Sequence, residues 1–254
     1  ALSKAEKIEN YYGFAEPISG KNLAANGKAQ AARLGAAFVQ DEAVSLAPAD
    51  NGFTIGAAGN VEIHSRAIIL AAGSPRKTPN IPGLSALEGH GVSYCAVCDA
   101  FFYRKKAVAV LGFGEYAKAE ALHLLPLAGS VALLTNGEEP GANFPPEVMV
   151  VTTPVKELLG EKRLEGVRFT QRDNLSLDGV FVAYGAAGSA DLARKIGALT
   201  QGSAIIADAH GQTNIPGLYA AGDCVGGTLQ IAKAVYDGMN AGLSVVKYLR
   251  GSND

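Results

Sequence analysis

Cysteine is scarce: the 254 residues contain three. So small and odd a number excludes a secreted fold stapled by many disulfides. Long apolar runs are missing too, since none reaches the roughly 18 residues of a membrane span. The opening stretch, ALSKAEKIEN, lacks the basic-then-apolar pattern of a signal peptide. Excess basic charge is absent as well, because the formal net charge is -2 and no nucleic-acid signature is visible. The four histidines, His64, His90, His123 and His210, show no ligand spacing. These absences describe a soluble, cytoplasmic protein with neither a membrane nor a nucleic-acid partner.

What the chain does have is apolar residues and glycine, 48% and 31 residues respectively. Most of the glycine falls where strands would hand over to helices, the punctuation of an α/β fold. SGKNLAANGKAQAARLGAAFV predicts an amphipathic helix over 20–34, with Leu23, Ala25, Ala29 and Ala32 inward. GFTIGAAG and VEIHSRAIILAAGS read as two strands, followed by the Pro-rich crossing SPRKTPNIPGL.

KAVAVLGFGEYAKAEALHLLPLAGSVALLT then has a βαβ rhythm: strand 106–111, helix 115–127, strand 131–135. Further strands are expected at 148–152, at 167–170 and within DGVFVAYGAAGS, and one ending in IPGLYAAGDCVGG. A last helix is expected over 229–249, packed through Ala232, Val235, Met239, Gly242 and Val246. Two crossings, 73–79 and 184–188, with a βαβ module between them imply an inserted domain. The inner domain takes residues 76–185 and the outer one is stitched from 1–75 and 186–254.

The chemistry concentrates in SYCAVCDAFFYRKK, residues 93–106. A Cys-x-x-Cys pair can lower the pKa of one sulfur near a helix start, and two intervening residues let the sulfurs bond or part with little backbone motion. Asp99 follows directly, where a carboxyl can shuttle a proton to a departing thiolate. A zinc site needs about four ligands, and Cys224 is distant in sequence. Spacing alone leaves redox, structural and metal readings open.

The longer segment GVSYCAVCDAFFYRKKAVAVLGFGEYA resembles the active-site segment of low-molecular-weight flavin thioredoxin reductases. IENYYGF, AIILAAGSPRK and IPGLYAAGDCVGGTLQIAKAV resemble other segments of that family, so the likeness runs along nearly the whole chain. It implies a two-domain, Rossmann-like pyridine-nucleotide-disulfide-oxidoreductase fold, three-layer ββα, with FAD as cofactor. It also implies a homodimer and a thioredoxin or thioredoxin-like partner. By the same resemblance Cys98 faces the flavin, Cys95 exchanges with the protein disulfide, and Asp99 is the proton donor. Gly222 and Asp223 match a flavin-contacting turn, while Gln230 and Asn10 match residues near the isoalloxazine. Cys224 is read as packing. The family opens with a strand and GxGxxG loop, the first βαβ of the FAD domain, and the sequence begins after that point. A missing piece is expected rather than a lost site, because an outer domain without its first strand leaves an unsatisfied edge.

The nicotinamide machinery departs from the family. GFGEYA replaces the middle glycine of GxGxxA with Phe113, and Glu115 puts negative charge where a pyrophosphate would rest. The arginines that hold a 2′-phosphate are missing, as residues 119–155 contain no Lys or Arg. Two lost charged hydrogen bonds, at about 1.5–3 kcal/mol each, weaken NADPH by roughly a hundredfold or more. Glu138 could hold the ribose of NADH. The chain resembles the branch that takes electrons from ferredoxin, for which Arg76, Lys77, Arg104, Lys105 and Lys106 are docking candidates. An NADPH-dependent reductase and a non-catalytic redox-sensing scaffold are the alternatives.

Overall fold

The computed structural model describes residues 2, 5–59, 61–73 and 79–251. The organising element is β6 (Ala107–Gly112), whose residues are almost all fully buried. A strand covered on both faces reads as a continuous apolar run, and AVAVLG does so. It lies in a parallel five-stranded sheet, ordered β5 (Val92–Ser93), β12 (Gly179–Ala183), β6, β7 (Ser130–Leu134) and β8 (Val148–Val151).

Alternation of side chains decides what each face meets. Val108, Val110, Val131, Leu133 and Phe181 pack with Tyr116, Ala117, Ala121 and Leu124 of α3 (Glu115–Leu124). Ala109, Leu111, Leu134, Val180 and Val182 pack with Leu158, Val167 and Phe169 of an antiparallel sheet. That sheet is ordered β11 (Leu175–Ser176), β10 (Gly166–Phe169), β9 (Val155–Leu159). The result is the expected β-β-α layering. α3 ends three residues earlier than its periodicity predicts, because Pro126 has no N–H to continue the ladder after Leu125. KELLGEKRL, expected to connect two strands, supplies most of β9, because Val155 and Leu158 are buried while Lys156 is exposed.

Residues before and after this module meet in one core. β4 (Ile68–Leu70) pairs in parallel with β15 (Leu218–Ala220). Leu70, Leu218 and Ala220 share a cluster with Leu46, Phe53, Ala190, Leu192 and Ile205. Leu46 and Phe53 come from an antiparallel sheet of β1 (Ala43–Ala49), β2 (Gly52–Ala57) and β3 (Glu62–Ser65). The run expected as one strand over 61–74 is two, because β3 pairs antiparallel with β2 while β4 pairs parallel with β15. Helix α4 (Ser189–Lys195) was not foreseen.

The outer helices keep their predicted lengths but not their predicted packing. α1 (Gly20–Arg33) starts at Ser19, whose Oγ accepts from the Asn22 N–H at 3.2 Å. Of its expected inner side only Leu23 is even half-buried; Ala25, Ala29 and Ala32 are exposed. α5 (Ile231–Gly251) buries Ala241 and packs Val245 and Tyr248 on Tyr219. Val235, Met239 and Val246, expected inside, are exposed with Tyr236 and Leu243. Among the described residues no helix is long and apolar enough to cross a membrane.

Candidate active site

Cys95 and Cys98 form a disulfide with their Cα atoms 5.3 Å apart. It is built by α2 (Ala96–Asp99), a single turn for which Cys95 is the N-cap in extended conformation. The Cys98 N–H donates to Cys95 Sγ at 3.2 Å. A sulfur at a helix start receives amide dipoles that stabilise negative charge on it. Cys95 is 4% exposed. Cys98 is open, its Sγ 3.7 Å from the Arg194 carbonyl oxygen on α4.

Asp99 closes the same turn. Ser93 Oγ donates to Asp99 Oδ2 at 2.7 Å and accepts from the Cys95 N–H at 3.1 Å. Ser93 thus holds both the carboxyl and the backbone of the first cysteine, a role not read from the sequence although it lies in the GVSYC segment. Burial and then the nearby Asp99 push the Tyr103 hydroxyl above its ordinary range. Glu120 is the other residue missed: Oε2 accepts from the Ala96 N–H at 2.7 Å, and Oε1 lies 2.6 Å from Lys195 Nζ. The available signal was a charge within the apolar stripe Tyr116, Ala117, Ala121, Leu124.

The residues expected around a flavin form a second cluster. Asn10 Nδ2 donates to Gln230 Oε1 at 3.0 Å, and both side chains are exposed beside the start of α5. The first amides of a helix lack intrahelical partners. Amide side chains and free N–H groups are the donors and acceptors that the carbonyl and N–H edge of an isoalloxazine requires, so this end fits the cofactor. Gly222 has φ 80°, opening a 3-10 turn (Gly222–Val225) after β15. Its N–H is engaged by Asp237 Oδ2 at 3.0 Å, and its carbonyl accepts from Lys233 Nζ at 3.1 Å. Lys233 and Asp237 also pair at 2.8 Å, clasping the turn to α5. Asp223, in this turn, is half-buried. Among the described residues no hydrogen bond joins this cluster to the cysteines. Arg76, Lys77 and most of the first crossing lie outside the described residues.

The glycine loop after β6 has the backbone of a nucleotide site and an occupied mouth. A Cβ on Gly112 would collide with the Ala183 carbonyl, so glycine is required there for β6, β12 and α3 to close up. Phe113 packs edge-on against Tyr184, centroids 5.1 Å apart. The 136–141 segment folds back so that the Gly141 N–H donates to the Phe113 carbonyl at 2.6 Å. Glu115 occupies the first turn of α3 and pairs with Lys118 at 3.5 Å. Burial and Glu138 raise the Tyr184 hydroxyl, the Asn136 hydrogen bond opposing them. Cys224 is buried, its Sγ 3.2 Å from the carbonyls of Leu70 and Ala221. Among the described residues no group of three or more His, Cys, Asp or Glu is placed to hold a metal ion.

A disulfide at a helix start, on a turn packed against a βαβ module, is the chemistry of a disulfide oxidoreductase. The chain belongs to the pyridine nucleotide-disulphide oxidoreductase family, whose model matches residues 2–238. This is a family of FAD-binding flavoproteins. The chain is 30% identical to a thioredoxin reductase of Aquifex aeolicus, over 99% of this chain and 83% of the relative. Its structure is similar to that of the atypical thioredoxin reductase TRi from Desulfovibrio vulgaris Hildenborough. That likeness has a TM-score of 0.91 and 38% identity, over 98% of this chain and 87% of the other. A ferredoxin-flavin thioredoxin reductase from Clostridium acetobutylicum aligns with a TM-score of 0.70 and 30% identity, over 98% and 86%.

Proposed function

We propose that the protein is a flavin-dependent thioredoxin reductase of the cytoplasm that takes its electrons from ferredoxin. The observation that carries the reductase reading is the Cys95–Cys98 disulfide on the start of α2, next to a Ser93-held Asp99. FAD, when bound, supplies a two-electron store between a one-electron donor and the disulfide. The disulfide accepts two electrons and one proton, breaking the S–S bond to leave Cys95 as thiolate and Cys98 as thiol, with Asp99 as the donor of that proton in this reading. Cys95 as thiolate attacks the partner's disulfide and displaces one partner thiolate. Cys98 then attacks the mixed disulfide, releasing the second thiolate and reforming the Cys95–Cys98 bond.

Cys95 is nearly covered, so this sequence needs residues 76–185 to move as a domain against the rest. Gly185, with φ 85°, lies at the hinge in this reading. Phe101 and Phe102, 69% and 70% exposed, lie beside the exposed Arg104, Lys105 and Lys106 and offer an apolar and basic face to a protein partner. We also read the chain as a homodimer, with the exposed apolar side of α5 as one contact surface.

The donor assignment rests on the nucleotide loop. Phe113, Gly141 and Glu115 crowd the place where a pyrophosphate would meet α3, and no arginine follows β7 before residue 155. The likeness to a ferredoxin-flavin enzyme is in keeping with this. The test is anaerobic titration of the yellow protein. Bleaching of the flavin band by reduced ferredoxin but not by stoichiometric NADPH is expected. Fast bleaching by NADPH would overturn the donor, and a colourless protein would favour the scaffold alternative.

A further inference from the structure

Glu120 and Lys195 meet across the seam between the cysteine-bearing module and the flanking segments. Both side chains are 1% exposed, with Nζ 2.6 Å from Oε1. Neither is satisfied by the other alone. Glu120 Oε2 holds the Ala96 N–H, an amide of the redox turn, at 2.7 Å. Lys195 Nζ donates to the Val44 carbonyl on β1 at 3.1 Å and sits 4.9 Å above the Tyr116 ring centroid. The residue before it, Arg194, presents the carbonyl that faces Cys98 Sγ.

A buried ion pair is stable only while both charges are matched, because each has lost its water. Separating the two surfaces therefore leaves no halfway arrangement: the pair is closed and dry, or open with both charges hydrated. In the closed form described here Cys95 is 4% exposed.

We propose that Glu120 and Lys195 are positioning residues for the redox pair, forming an ion-pair latch that holds the cysteine turn against α4 and β1. The latch keeps Cys95 covered and parts when that sulfur is exposed. Its meaning for turnover rests on the reading of Cys95 as the exchanging sulfur, but the covering itself does not.

The experiment measures thiol access rather than turnover, so its failure leaves the reductase reading untouched. The full-length, flavin-loaded protein is reduced, freed of reductant anaerobically, and pulsed with iodoacetamide. Peptide mass spectrometry then follows Cys95, Cys98 and Cys224 separately. Cys224, 1% exposed, reports global unfolding. Lys195→Met leaves Glu120 buried without its partner and is expected to raise the Cys95 rate by at least about tenfold, with Cys224 still silent. Glu120→Gln, which keeps an acceptor for Ala96 but not the charge, is expected to act in the same direction. The double variant buries two neutral isosteres and is expected to return to within about threefold of the parent. Cys95 rates unchanged in both single variants, or rising only in step with Cys224, would show that the pair is packing and not a latch. Should Lys195→Met not fold, Glu120→Gln and the double variant decide by the same criteria.

Discussion

Asn10 and Gln230, 220 positions apart, share a hydrogen bond of 3.0 Å at the exposed start of α5. Two residues placed near the flavin by family resemblance alone are thereby neighbours. If they hold the isoalloxazine edge, Gln230→Ala removes a neutral hydrogen bond of about 1 kcal/mol. Flavin affinity is expected to fall roughly fivefold to tenfold, read from flavin fluorescence released on dilution. Asn10→Ala is expected to do the same, and the double variant to lose less than the product. An unchanged affinity in both would move the flavin elsewhere.

The two sulfurs have opposite exposure, and their proposed roles predict different traps. Cys98→Ser leaves Cys95 able to attack a partner disulfide but removes the thiol that resolves it. Incubation with oxidised thioredoxin is expected to build a mixed disulfide at Cys95, visible on non-reducing gels. Cys95→Ser is expected to give none. A stable adduct through Cys98 in the Cys95→Ser variant would reverse the assignment.

Ser93 bonds both the Cys95 amide and the Asp99 carboxylate. Ser93→Ala leaves that buried amide without its acceptor, a loss of about 1–3 kcal/mol in stability by denaturant unfolding. It also frees Asp99, so disulfide turnover is expected to slow by roughly tenfold while flavin content stays constant. Equal turnover in the variant would mean that Asp99 works without being held.

Burial raises the Cys224 thiol pKa, with weaker opposing help from Ser189 and a backbone hydrogen bond. In the native, reduced protein a thiol reagent at neutral pH is expected to leave Cys224 unmodified, with that sulfur appearing only on denaturation. The sign for stability follows. A thiol whose folded pKa is raised stabilises the fold fully below its unfolded value and loses that contribution as pH climbs through the raised one. Cys224→Ala is expected to flatten this alkaline loss, as seen in unfolding midpoints across pH 8 to about 10.

Periodicity and motif order made much of this protein legible in the sequence alone. The unbroken apolar run AVAVLG, the glycine loop and the amphipathic α3 declare a βαβ unit because local chain geometry writes itself into residue spacing. The cysteine pair and Asp99 are equally local, within the five consecutive positions 95–99 of one capped turn. Even α1 and α5 could be drawn to within a few residues, though not the side they bury, since an apolar face says nothing about what stands opposite it.

Tertiary structure decided what depends on distant chain segments. VEIHSRAIIL splits into β3 and β4 because two separate sheets claim its halves. Glu120 interrupts an apolar stripe and Lys195 looks like a surface charge, and only the seam that brings α3 onto α4 makes them partners. Desolvation belongs to the assembled core and not to any residue, so a buried ion pair becomes visible only when the fold closes over it.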